Sequence, residues 1–138
     1  MSADHIISPK QLTLDIIANI GDKQLKIKLS KESRERIRKN RQYLENKIAN
    51  EDHPFYGINT GFGSLRNQRI SKEDLSELQE NLVKSHAAGT GEEVPDDIVR
   101  LMILLKIHSL SLGCSGVRPE LVDRLIQFYN HDLSPVIY

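Results

Sequence analysis

The residues of this chain with the clearest chemical potential lie in the segment Phe55–Leu65, where one tyrosine stands among Gly57, Gly61 and Gly63. The segment follows neither the helical nor the strand period of apolar residues, so it is predicted to be an ordered, non-repetitive loop. Glycine permits backbone angles that other residues resist, and such a loop can turn sharply and approach a ligand closely. Tyr56 would then place a phenol, which both donates and accepts hydrogen bonds, at the entrance of a binding site.

The same loop has two other interpretations. A glycine-rich connection also forms where a chain only turns tightly, with Tyr56, Ile58 and Phe62 packed against helices. A phosphate-binding loop fits less well, because such a loop follows an apolar strand and usually carries a lysine directly after its last glycine. Here the polar run 50–54 precedes the loop, and Ser64 follows the last glycine. The residues alone leave a ligand loop and a packing turn open.

Other polar side chains are weaker candidates. His86 shares the apolar face of a predicted helix, where periodicity alone favours a core histidine. Asn59 and Thr60 can bond either to their own loop or to a ligand, and bonding to the local backbone is the commoner use. Cys114 is predicted to be a buried, inert thiol. No metal is predicted, because no structural zinc spacing links Cys114 with the scattered histidines His5, His53, His108 and His131.

Composition limits the kind of protein that can position these residues. The chain has 138 residues, which predicts a single domain over 1–138, and its 38% hydrophobic content without tryptophan gives a modest core. Basic and acidic residues number 19 each, so no net field favours nucleic acid or an anionic membrane. The chain has one cysteine, which fits a reducing compartment, and it lacks the basic-then-apolar start of a secretion signal. It also has no apolar run of the about 20 residues that a membrane-spanning helix needs. These features predict a cytoplasmic protein.

The first 30 residues are predicted to form a short β-hairpin. Two alternating stretches, 11–20 and 24–30, flank the turn-like sequence 21–23. The second stretch alternates strictly between apolar and polar residues from Leu25 to Leu29, which is the period of a half-buried strand.

The rest of the chain, 31–138, is predicted to consist of helices and the glycine-rich loop. Ser30 caps a charged, mostly solvent-facing helix, with Ser33 as a competing start. A second helix begins near 71–74, carries apolar positions up to His86 and ends at 87–91. A third, nearly all apolar, runs from about Pro95 to residue 110, and a last one spans about 118–129. The fold class is therefore mainly α, a bundle-like arrangement with the hairpin at its start.

Three segments in succession carry a family resemblance: 56–63, 78–89 and 115–120. Together they resemble the N-terminal part of the histidine ammonia-lyase and aromatic amino-acid lyase family, over essentially the whole chain but only the opening third of a family enzyme. The resemblance implies a methylidene-imidazolone cofactor formed autocatalytically from Ala-Ser-Gly shortly after 134–136, and no metal. This sequence contains no Ala-Ser-Gly. The chain is accordingly expected to be a truncated product, a fragment or one piece of a split enzyme.

The resemblance also implies roles for single residues. It assigns Tyr56 as the base that removes the β-proton of an amino-acid substrate, and it makes His86 a residue that faces the substrate side chain. Asn59, Thr60 and Gly63 are expected to bind substrate. A phenol ordinarily ionises only near pH 10, about three pH units above neutrality, so a phenolate base needs oriented N–H donors or positive charge nearby.

The activity implied by the resemblance is the conversion of L-histidine to urocanate and ammonia. The resemblance also implies a homo-oligomer, which in the family is a tetramer. The C-terminal remainder of the enzyme or a partner chain is expected to complete this chain. Tyrosine or phenylalanine as substrate, and an aminomutase in place of a lyase, stay open. A non-catalytic helical interaction module is the alternative from a different class.

Overall fold

A computed structural model describes residues 4–51, 53–68, 70–71 and 74–138, without the side chain of Leu65, and confirms the mainly helical fold class. The chain divides into two compact units, the first made of residues up to 45 together with 93–137 and the second of 46–92 with Tyr138. In chain order the elements are strand β1 (His5–Ile7), helix α1 (Leu14–Asp22), strand β2 (Ile27–Leu29), helix α2 (Lys31–Asn50), a 3-10 helix (Gly63–Leu65), helix α3 (Leu75–His86), helix α4 (Asp96–Ser111) and helix α5 (Pro119–Asn130). No helix within the described ranges is long and apolar enough to cross a membrane.

The predicted β-hairpin is wrong. Strand β2 lies within the predicted second stretch, but it pairs in parallel with β1, with His5 opposite Ile27 and Ile7 opposite Leu29. Parallel neighbours cannot be joined by a tight turn and need a crossover, which is usually a helix. Helix α1 is that crossover, and it occupies most of the stretch that was expected to be the first strand.

The start of α1 explains why the alternation in this stretch misled. Thr13 Oγ1 accepts a hydrogen bond from Ile16 N at 3.3 Å, which is an N-cap, and Asp15 lies in the first turn. Behind this cap, Ile16 and Ile20 recur at the helical spacing of four residues, and Ile20 is fully buried.

The apolar core lies in the first unit. Helix α4 contacts α5 and β1, and α5 contacts β2. The fully or nearly fully buried apolar side chains come from both strands and four helices: Ile7, Ile20, Ile27, Ile37, Val99, Ile103, Leu104, Ile107, Leu110, Val122, Ile126 and Tyr129. The predicted apolar helix over 95–110 is confirmed as the central element of this core.

The predicted helix starts are confirmed where they can be observed. Ser30 Oγ accepts a hydrogen bond from Ser33 N at 3.0 Å, so Ser30 is the cap of α2. The proposed start of α3 at 71–74 falls partly on residues 72 and 73, which lie outside the described residues. Ser71 Oγ accepts from Asp74 N at 3.2 Å, just before the helix begins.

Asn130, the last residue of α5, holds that helix to the sheet. Its Oδ1 accepts from Ile27 N at 2.8 Å, and its Nδ2 donates to Ile27 O at 2.9 Å. Strand β1 bonds to the other side of β2, where Lys26 O accepts from His5 N at 2.8 Å. The side-chain amide of Asn130 thus satisfies the free edge of β2 in the way that a third strand would.

Replacing Asn130 with alanine should lower the free energy of unfolding by about 1–3 kcal/mol, because both backbone groups of Ile27 lose a part-buried partner. Urea unfolding followed by circular dichroism measures this change.

Asn50→Ala is the matched control, because Asn50 is likewise the last residue of a helix but is exposed, and its side chain donates to Asn46 O within its own helix. This variant should differ from the parent by less than about 0.5 kcal/mol. Equal losses in the two variants would contradict the role given to Asn130.

Candidate active site

The loop expected from the sequence lies in the second unit and is ordered by backbone hydrogen bonds. A turn opens it, with Ile58 N and Asn59 N donating to Phe55 O at 3.0 and 3.2 Å. Further on, Ile70 N donates to Asn59 O and Gly61 N donates to Gln68 O, both at 3.0 Å. These two bonds close the loop upon itself. The prediction of an ordered loop is confirmed, with a short 3-10 helix at 63–65 inside it.

Two of the glycines are required by the backbone itself. Gly57 has φ +75° and Gly63 has φ +57°, both in the left-handed region that side chains disfavour. A Cβ at Gly57 would lie 3.6 Å from the ring of Phe62, which is an ordinary contact. Backbone conformation, rather than lack of space, is therefore the reason for glycine at these positions.

The side chains of Asn59 and Thr60 are buried and bonded to the loop. Asn59 Oδ1 accepts from Phe55 N at 2.6 Å, and its Nδ2 donates to His53 O at 3.1 Å. Thr60 Oγ1 accepts from Gly57 N at 3.3 Å and donates to Gly61 O at 3.0 Å. Both residues thus fix the path of the main chain on either side of Tyr56.

Tyr56 stands out from this fixed backbone. Its side chain is 65% exposed, and its ring meets that of Phe62 edge to face with centroids 6.1 Å apart. Within the described ranges no hydrogen bond engages its hydroxyl group. The phenol oxygen is therefore open to a molecule that approaches from solvent. The interpretation of Tyr56 as a purely packed residue does not fit this exposure.

His86 lies exposed at the end of α3, so the interpretation as a core histidine is wrong. Its Nδ1 is 2.9 Å from Leu82 O and 3.0 Å from Ser85 Oγ. Because a carbonyl oxygen only accepts, Nδ1 carries the proton of that bond, and the neutral ring keeps an acceptor at Nε2. In the part of the chain that the structure describes, no hydrogen bond or ring contact joins His86 to the loop.

A cleft of about 630 Å³ in the first unit was not found from the sequence. In its wall the Arg100 guanidinium lies over the Tyr129 ring, 4.3 Å from the centroid, and pairs with Asp132. None of the predicted site residues lines this cleft. The described ranges contain no group of three or more side chains that could hold a metal ion.

Charges in the first unit are arranged mainly as surface pairs on α2. Two hydrogen bonds of 2.9 and 2.6 Å link Arg34 to Asp123 and raise the pKa of the guanidinium. Arg38 lowers the pKa of Glu35 through a similar pair within the helix. Burial lowers the pKa of His5. Of these interactions, the Arg34–Asp123 pair joins α2 to α5. None of them involves a residue of the glycine-rich loop.

Comparison with known proteins extends over almost the whole chain. The aromatic amino acid lyase family matches residues 12–138. A curated histidine ammonia-lyase of Legionella pneumophila (strain Philadelphia 1) is 50% identical over 137 residues, which cover 99% of this chain and 27% of the relative. The chain therefore spans about a quarter of the length of the curated relatives that it matches.

Solved structures share the fold as well. The ergothioneine-degrading enzyme ergothionase of Treponema denticola superposes with a TM-score of 0.89 at 28% identity, covering 97% of this chain and 27% of that one. The tyrosine aminomutase of Streptomyces globisporus gives a TM-score of 0.83 at 30% identity, covering 93% and 24% of the two chains.

Asn59→Ala should loosen the loop without unfolding the first unit, because it removes the acceptor of Phe55 N and the donor to His53 O. Hydrogen exchange at the Phe55 amide should become about tenfold faster or more, which corresponds to the loss of one part-buried hydrogen bond. Amides in α4 and α5 should keep their exchange rates.

Asn59→Asp is the graded control, since it keeps the acceptor oxygen for Phe55 N and replaces the donor to His53 O with a second, charged oxygen. It should protect the Phe55 amide better than alanine does. Unchanged exchange in Asn59→Ala would show that the side chain does not fix the loop.

Proposed function

The chain belongs to the aromatic amino acid lyase family, and from this premise we propose that it is the N-terminal portion of a histidine ammonia-lyase, which converts L-histidine to urocanate and ammonia. The 50% identity to the Legionella pneumophila enzyme of that name supports histidine as the substrate. The observation that carries the proposal is the open hydroxyl of Tyr56 on a loop whose backbone is fixed from within.

The family's methylidene-imidazolone group, formed from Ala-Ser-Gly, supplies an electrophile that activates the substrate. The residues of this chain do not provide it. The only Ser-Gly pair is Ser115–Gly116, which follows Cys114 rather than alanine. Gly116 N donates to Asn40 Oδ1 at 2.6 Å, so this segment is part of a turn held against α2. The electrophile belongs to polypeptide outside these 138 residues, and this chain contributes a base and substrate contacts.

Tyr56 acts as the base in this proposal. Its phenolate oxygen takes the β-proton of the substrate, and the electron pair of that C–H bond forms the carbon–carbon double bond. The Cα–N bond breaks, and the ammonium group leaves as ammonia with the bonding electrons. The phenol then passes its proton to the released ammonia or to water, which restores the phenolate. The exposed ring can reach a substrate, while the bonds made by Asn59 and Thr60 limit the positions that it samples. Donors that favour the phenolate are supplied by the completed site.

The other site residues bind and orient the substrate. His86 offers Nε2 as an acceptor for an N–H group, such as that of the substrate imidazole. Gly63 has no side chain and is exposed, so a substrate can approach the backbone where the 3-10 helix begins. Asn59 and Thr60, whose side chains are already bonded to the loop, act on the substrate through the backbone that they hold.

Tyrosine aminomutase activity is the second candidate, because the enzyme from Streptomyces globisporus has the same fold over this region at 30% identity. The difference between 50% and 30% identity favours the histidine ammonia-lyase.

We further propose a cytoplasmic homotetramer of completed polypeptides. The prediction of a buried Cys114 is wrong, since its thiol is exposed. An exposed thiol that forms no disulfide supports a reducing compartment.

A chimera tests the base. In it, this chain replaces the matching 137-residue segment of the Legionella pneumophila relative, and urocanate formation is followed by its absorbance. The parent chimera should deaminate L-histidine. Tyr56→Phe should lower kcat by about a hundredfold or more, because the positioned proton acceptor is lost while the ring remains.

Tyr43→Phe is the matched control, since Tyr43 is 61% exposed, nearly as much as Tyr56, but lies on α2 outside the loop. It should keep the kcat of the parent chimera.

His86→Ala should instead raise KM more than it lowers kcat, because its proposed role is substrate contact. A folded parent chimera without lyase activity would refute the proposed function, and near-parental turnover in Tyr56→Phe would refute the base.

The isolated 138-residue chain should release no ammonia from histidine, tyrosine or phenylalanine, because it contains no Ala-Ser-Gly. Assays for urocanate, coumarate and cinnamate with the purified chain test this expectation. Any of these products, formed in proportion to the amount of chain added, would contradict it.

A further inference from the structure

Helix α4 carries apolar side chains on two opposite faces. Its core face consists of Val99, Ile103, Leu104, Ile107 and Leu110, all buried. Its outer face consists of Ile98, Met102 and Leu105 and is continued by Leu112, the C-cap residue of the helix. These four side chains are between 39% and 48% exposed. A helix that is apolar all round is normally covered all round, and in the part of the chain that the structure describes the outer face of α4 stays partly exposed.

The spacing of the outer face is that of a helix–helix contact. Ile98, Met102, Leu105, Ser109 and Leu112, hereafter the α4 seam, are separated by alternating steps of four and three residues. These are the steps between a and d positions of a coiled coil. At about 100° per residue the five positions stay within an arc of about 80°, and they extend over about 21 Å.

This geometry fits an approaching helix better than an irregular chain. Another helix can place its own side chains between successive residues of a straight seam of this length. Ser109 is small and exposed in the middle of the C-terminal half, so it leaves room for a bulky side chain from the partner. Lys106 flanks the seam, exposed, and would favour an acidic residue opposite it.

We propose that the α4 seam binds a helix from the polypeptide that makes up roughly the remaining three-quarters of the family's longer members, given that this chain matches 27% of the Legionella pneumophila relative. The proposal rests on the proposed function, because it takes this chain to be one portion of such an enzyme. It adds the surface through which that portion joins the rest. The length of polypeptide outside this chain is what identifies the occupant.

Thiol labelling tests the proposal. Leu105→Cys, at the centre of the α4 seam, is made together with Cys114→Ser, which removes the native exposed thiol. The isolated chain and the chimera are treated with a maleimide under the same conditions. Leu105→Cys should react about tenfold or more slowly in the chimera, where a helix covers the seam.

Lys39→Cys is the control, because Lys39 is a highly exposed residue of the charged helix α2. It should react at similar rates in the isolated chain and the chimera. Equal labelling of Leu105→Cys in both proteins would overturn the proposal. Disulfide-linked dimers of the chimera through Leu105→Cys would also overturn it, since they would show that two copies of α4 pack on each other.

A second variant keeps the proposal testable if the thiol variants fold poorly. Leu105→Asp should leave the Tm of the isolated chain within about 2 °C of the parent, because the position is exposed there, and should lower the Tm of the chimera by about 4 °C or more. Equal shifts in both proteins would contradict docking at the seam. The labelling and Tm measurements require no turnover. A folded but inactive chimera would therefore refute the proposed function, and the same chimera could still show whether a helix covers the α4 seam.

Discussion

The packing of helix α4 against β1 and α5 is the contact on which the first unit depends. Five of the twelve buried apolar side chains of the core come from α4, whereas α1 and α2 contribute one each, Ile20 and Ile37. The burial of apolar area is the main favourable term in folding, so α4 contributes the largest share of this term among the elements of the first unit. The same helix has a second, partly exposed apolar face. Because burying apolar area is favourable, covering that face with another helix would stabilise the first unit further.

The second unit is held by a different kind of interaction. Among its described residues the buried side chains are polar, those of Asn59 and Thr60, and each is bonded to the backbone of the loop. Buried polar groups must be hydrogen-bonded to be tolerated, and once bonded they fix a backbone path closely. This allows Tyr56 to be exposed on a loop that is nevertheless ordered, which is the combination that a catalytic side chain needs.

Much of the helical fold could be predicted from the sequence, because caps and apolar periods act locally. Ser30 marked the start of α2, and the apolar run after Pro95 marked α4. The prediction for the stretch around α1 was wrong, because the apolar residues at 12, 14 and 16 alternate as in a strand, whereas Thr13 caps a helix. Whether β2 pairs with a neighbour in sequence or with β1 across a crossover depends on contacts between distant residues, which no local pattern encodes.

For the site, the sequence by itself determined the glycine-rich loop and the family, because both are written in residue types at fixed spacings. The φ angles of the structure showed that Gly57 and Gly63 are the loop positions whose backbone requires glycine. Only the tertiary structure shows that the side chains of Asn59 and Thr60 bond to the backbone of their own loop, since hydrogen-bond partners depend on where the backbone returns. It likewise showed that His86 is exposed and that the outer face of α4 is partly exposed. Periodicity tells which residues share a face of a helix, but burial depends on what packs against that face.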